Sequence, residues 1–124
     1  MITVTFEEIA QYRSELSASP EALRALDMIE DCEGDLEDAA ITLALQARQE
    51  PDTSERWLEG LAKRWRAVLC QADIRASLAA GTLQDVLRSL SQETDLPPIL
   101  ATPVIIYVLK AGIEDFCKPL EEKL

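Results

Sequence analysis

Residues 96–113 read LPPILATPVIIYVLKAGI. From Leu96 to Leu109 there is no charge, and Pro97, Pro98 and Pro103 all fall near the start of that run. A bilayer-spanning helix needs about 20 apolar residues, whereas a run of about 10–14 more often marks a buried core helix. The cluster Val104-Ile105-Ile106-Tyr107-Val108 has strand propensity. A strand needs a partner, however, and Met1–Thr5 is the only other segment that offers one. Thr102-Pro103 reads instead as a cap followed by a first-turn proline. Apolar residues then continue at Ile105, Leu109, Gly112 or Ile113, Phe116 and Leu120 with the helical period. The stretch therefore predicts a core helix from Thr102 to Leu120, apolar all round in its first turns, with Leu96-Pro97-Pro98 as a stiff connector.

Outward from this helix, the start and stop signals are helical throughout. Thr5 followed by Glu8 forms a capping box, and Phe6, Ile9, Tyr12 or Arg13 and Leu16 make one face. Ser19-Pro20-Glu21 is a second start, continued by Leu23, Leu26 and Ile29 or Glu30 and closed by Gly34, which permits a left-handed conformation. Asp35, with Asp38 in the first turn, opens a third helix whose stripe is Leu36, Ala39, Ala40, Leu43 and Ala47. After the loop Glu50-Pro51-Asp52-Thr53, Thr53 or Ser54 caps one long helix through Gln71, with Trp57, Leu58, Leu61, Trp65, Val68 and Leu69 on one face. A shorter helix at Asp73–Ala80 ends at Gly81, and Thr82 with Asp85 starts another carrying Leu83, Val86, Leu87 and Leu90. The expected fold is all-α, a single domain over residues 1–124 packed as an irregular bundle of six or seven helices. Its expected core is Ile9, Leu23, Leu26, Leu36, Leu43, Trp57, Leu61, Trp65, Leu69, Leu87, Ile105, Leu109, Ile113 and Phe116.

The net charge of −11 is confined to one half. Residues 1–55 carry 14 acids and 3 bases, whereas residues 56–124 carry 9 of each. Such an acidic surface repels nucleic-acid phosphates and anionic lipid, and it favours a basic protein partner. The stretch MITVTFEEIAQYRSEL has no basic region leading into an apolar run, so no secretory signal is expected. Cys32, Cys70 and Cys117 are widely spaced and odd in number, which argues against a disulfide framework and for a reducing, cytoplasmic setting. Cys70 and Cys117 read as small buried apolar residues.

The chemistry available is narrow. The chain has no histidine, which excludes histidine triads, shuttles and metal ligands. There is no glycine-rich phosphate loop, and no cofactor is expected. The segment 27–38, DMIEDCEGDLED, holds Asp27, Glu30, Asp31, Glu33, Asp35, Glu37 and Asp38 and no base. With Gly34 as the loop glycine of an EF-hand, the first ligand position falls on Ile29, so that calcium motif is incomplete. The segment reads as a solvated acidic face around a helix–helix turn, and its seven acids are the candidate partner-binding residues. The opposite feature is basic: Arg56, Lys63, Arg64, Arg66 and Arg75 lie on or beside the Trp57–Gln71 helix. The acidic half could meet this helix within the chain or in a second copy of it.

Residues 22–45, ALRALDMIEDCEGDLEDAAITLAL, resemble the last two helices of a ubiquitin-associated domain, through Ala25-Leu26, Gly34-Asp35, Glu37, Ala39-Ala40 and Leu43. The resemblance implies a helix pair around the Gly34 turn, with ubiquitin as partner. The Met-Gly-Phe-type loop of that family is replaced by Leu16-Ser17-Ala18-Ser19-Pro20, and the stretch from Leu26 to Gly34 is longer by about one turn of α-helix, which advances 3.6 residues. The texture of the whole chain is also similar to that of small bacterial helical proteins, cyanobacterial ones included. These features lead to the expectation of a non-enzymatic protein–protein interaction module. The alternatives are an acidic mimic that binds a basic nucleic-acid-binding protein, or a histidine-free enzyme, either a hydrolase with paired carboxylates or a metal-dependent one.

Overall fold

The computed structural model describes residues 2–47 and 57–122. Among these the chain forms nine helices: α1 Phe6–Glu15, α2 Pro20–Asp31, α3 Leu36–Gln46, α4 Trp57–Arg64, α5 Arg66–Leu69, α6 Ala72–Ala80, α7 Leu83–Glu93, α8 Pro98–Ala111 and α9 Ile113–Glu122. The all-α bundle is as expected, but the expected count of six or seven helices is wrong. Both long helices read from periodicity are in fact pairs. The helix through Gln71 breaks at Trp65 (φ −103°, ψ 13°), where the amide reaches back only to the Ala62 carbonyl and α5 restarts as a single turn. The helix read as Thr102–Leu120 breaks at Gly112, whose φ of 96° ends α8. Apolar spacing continues across both breaks, so the helical period alone does not reveal them. The Thr53 or Ser54 cap and Arg56 lie outside the described residues.

The start of α8 also differs. Pro98, not Pro103, occupies the first turn, Pro97 caps it, and Leu100 donates its amide to the Pro97 carbonyl. Pro103 sits inside the helix, where proline removes a backbone donor and ordinarily costs about 3 kcal/mol. Burial opposes that cost. Leu100 through Ile106 and Val108 are all buried, and α8 packs on α2, α3, α4, α7 and α9. Each large aliphatic withdrawn from water contributes about 1.5–3 kcal/mol. The stretch 98–111 is the central helix of the bundle.

Several local signals act as read. Thr5 accepts the Glu8 amide at 3.1 Å while Glu8 accepts the Thr5 amide at 3.0 Å. Ser19 accepts from Ala22, Asp35 accepts from Asp38, and Gly81 closes α6 at φ 80°. Thr82 does otherwise: its hydroxyl donates to the Ser77 carbonyl and does not cap α7. Nine of the expected core residues are buried, whereas Leu23, Trp57, Trp65, Leu109 and Ile113 are only partly so and line the core's edge.

The cysteine reading requires a larger correction. Cys70 and Cys117, 47 residues apart, form a disulfide between the end of α5 and the middle of α9. Sequence separation says nothing about proximity once α6, α7 and α8 fold the chain back on itself. The argument from cysteine spacing to a reducing compartment therefore loses its support. Among the described residues, no helix is long and apolar enough to cross a membrane.

Candidate functional site

The acidic segment folds into the end of α2, a tight turn and the start of α3. The turn is built from backbone hydrogen bonds. Glu33 donates to the Glu30 carbonyl and Gly34 to the Ile29 carbonyl, the paired bonds of a Schellman motif. That motif requires a left-handed residue after the helix cap, and glycine usually supplies it. Here the residue is Glu33, at φ 57°. Gly34 is also left-handed, at φ 85°. The residue that closes α2 is therefore Glu33, one position before the expected Gly34.

Gly34 has a different task. The N-terminal segment lies across the turn in an isolated antiparallel bridge between Thr3 and Asp35. Val4 donates to the Gly34 carbonyl at 2.8 Å, and Leu36 donates to the Ile2 carbonyl at 3.1 Å. A β-carbon on Gly34 would collide with the Val4 carbonyl oxygen. The Ile2 amide in turn donates to both Glu37 carboxylate oxygens, at 3.2 and 3.1 Å. The residues read as a strand candidate thus stitch the acidic turn to the rest of the molecule.

The seven acids are unequal. Asp27 and Glu30 accept from the Arg13 guanidinium of α1, at 2.6 and 2.7 Å. These bonds, that to Asp27 first, hold the Arg13 pKa above its ordinary value. Glu37 is taken by Ile2, and Asp35 caps α3. Asp31, Glu33 and Asp38 are exposed, and among the described residues no basic side chain pairs with them. Asp38, Asp35 and Asp31 surround the half-buried Cys32, whose thiol pKa is raised by burial first and then by these carboxylates. Such a thiol is a poor nucleophile. Sequence reasoning missed Arg13, because pairing across 14 and 17 residues depends on how α1 packs against α2.

Two bases of the basic helix are engaged elsewhere. Lys63 pairs with Glu59 one turn away, and the Arg66 guanidinium lies 4.9 Å over the Phe116 ring. Of the residues that resemble a ubiquitin-associated domain, Ala25, Leu26, Ala39, Ala40 and Leu43 are buried within this bundle. Among the described residues, no three of the acidic or cysteine side chains are grouped to hold a metal ion. A groove of about 440 Å³ lined by Arg75, Ala79, Gly112, Ile113, Glu114 and Asp115 contains two carboxylates. Both are exposed neighbours at the start of α9, without the unlike environments that acid–base pairs require. Comparison with known proteins returned no match to a family model, a curated protein or a solved structure.

Proposed function

We propose that the chain is a non-enzymatic protein–protein interaction module that docks a basic partner on the acidic α2–α3 turn. One observation carries the reading: the placement of Glu33. It is the only described non-glycine residue with positive φ. It also stands at the negative end of the α2 dipole, among Glu30, Asp31 and Asp35. Conformation, dipole and like charge all disfavour a glutamate there. A residue held against three local preferences points to a role outside the fold. The turn is anchored on two sides, by the Arg13 pairs and by the bridge to residues 2–4, and it presents Asp31, Glu33 and Asp38 at its surface. Their confinement to one turn supports a docking face over a mimic whose acids would follow a line of phosphates.

The test is affinity capture from the native organism with the wild-type chain and a D31N/E33Q/D38N variant, with ubiquitin included as a defined candidate partner. The expected result is a basic protein retained by the wild type, released by about 0.5 M salt because exposed charges are then screened, and bound at least tenfold more weakly by the variant. Equal retention by both chains would remove the acidic turn from the interaction.

A further inference from the structure

The disulfide joins two parts of the bundle that have little independent support. Helix α5 is a single turn, and its start at Trp65 has no side-chain cap. At this joint the Trp65 Nε1 and Arg66 Nε donors are buried without a hydrogen-bond partner, which costs stability. Helix α9 follows the break at Gly112 and carries Pro119 in its interior. It packs on α5, α6 and α8, with Phe116 and Cys117 buried. Phe116 is held between the Arg66 guanidinium at 4.9 Å and the Tyr107 ring, which meets it edge-on at 6.3 Å. The densest packing of the bundle lies elsewhere, where α2 and α3 pack on each other and on α8. Regions with few buried contacts open first.

From this arrangement we infer that the Cys70–Cys117 bond is a redox latch, which a cellular dithiol opens to release α9 from α5. The two sulfurs are unequally accessible: Cys117 is 1% exposed, whereas Cys70 is only half-buried. A thiolate of the dithiol attacks the Cys70 sulfur, forms a mixed disulfide and displaces the Cys117 thiolate, which takes up a proton. The second thiol of the dithiol then attacks its own sulfur in the mixed disulfide and releases the Cys70 thiolate, which is protonated in turn. Two electrons and two protons pass to the protein, and the dithiol leaves as a disulfide. Cys32 takes no part, since burial and three carboxylates keep its thiol protonated. Opening removes the tether across Gly112 and exposes the Phe116 face of α9 together with the surface it covers.

Amide hydrogen exchange of the full-length chain, oxidised and then reduced with dithiothreitol, tests the latch. If the bond only constrained the unfolded chain, its reduction would lower protection in every globally protected helix alike. A latch acts locally: exchange in α9 and α5 is expected to quicken at least tenfold on reduction, while α2, α3 and α8 change less than twofold. A C70S/C117S variant is expected to reproduce the reduced pattern without reductant. Unchanged protection of α9 on reduction, an equal loss in all helices, or three free thiols in the chain under oxidising conditions would overturn the inference.

Discussion

Val4 and Gly34 hold each other through one hydrogen bond and one close approach: the Val4 amide donates to the Gly34 carbonyl at 2.8 Å, and the Val4 carbonyl fills the place a β-carbon on Gly34 would need. The first prediction follows from this pair. Gly34→Ala forces a left-handed alanine, at about 1–3 kcal/mol, and pushes the N-terminal segment off the turn. Urea unfolding should show a lower midpoint, and the amides of Val4 and Leu36 should lose exchange protection before those of α8.

Glu33→Gly should do the opposite. Glycine relieves the left-handed strain and removes a charge from the negative end of α2, at the cost of extra freedom in the unfolded chain. The net expectation is a gain of about 0.5–1 kcal/mol by urea unfolding. Capture of the basic partner should weaken in the same variant. A stability gain without loss of binding would separate Glu33 from the docking face.

Arg13→Met removes the cation shared by Asp27 and Glu30 while keeping most of the apolar stem. All three side chains are substantially exposed, and exposed ion pairs contribute about 1 kcal/mol at most. The loss should be no larger than that, and it should vanish in about 0.5 M salt. Two-point unfolding curves at low and high ionic strength would measure it.

Glu8 introduces a pH dependence. Its carboxylate is held below the ordinary range by the Thr5 amide first and by Lys110 at 2.9 Å second. When unfolded, Glu8 titrates in the ordinary carboxylate range. In the window between the two values the unfolded chain binds more protons, so the contribution of Glu8 is fully present above the unfolded pKa and is lost as pH falls through the folded one. Between pH 6 and pH 3, wild-type stability should therefore fall more steeply than that of Glu8→Gln. Parallel slopes would mean that Glu8 is not perturbed.

The acidic turn was partly legible in the sequence. Seven acids around a glycine identify a charged helix–helix turn, and Asp35-x-x-Asp38 marks the next start correctly. What could not be read is the division of labour among the acids. Arg13 neutralises two of them because α1 packs against α2, and Ile2 engages Glu37 because the first residues run back across the turn. Nor did the sequence distinguish Glu33 from Gly34 as the left-handed cap, since glycine is the intrinsic favourite and only the bridge to Val4 reserves it for another purpose.

The chain by itself determined its helical character, the starts of α1, α2, α3 and α7, the Gly81 stop of α6 and the burial of the apolar turns that follow Thr102, because caps, glycines and apolar periodicity act within a few residues of one another. Tertiary structure alone decided where the helices at Trp65 and Gly112 break, that Pro103 is kept inside a helix, and that Cys70 meets Cys117. Each of these depends on what packs against a residue from elsewhere in the chain. Burial against several helices can outweigh a local preference of a few kcal/mol, and no local pattern records it.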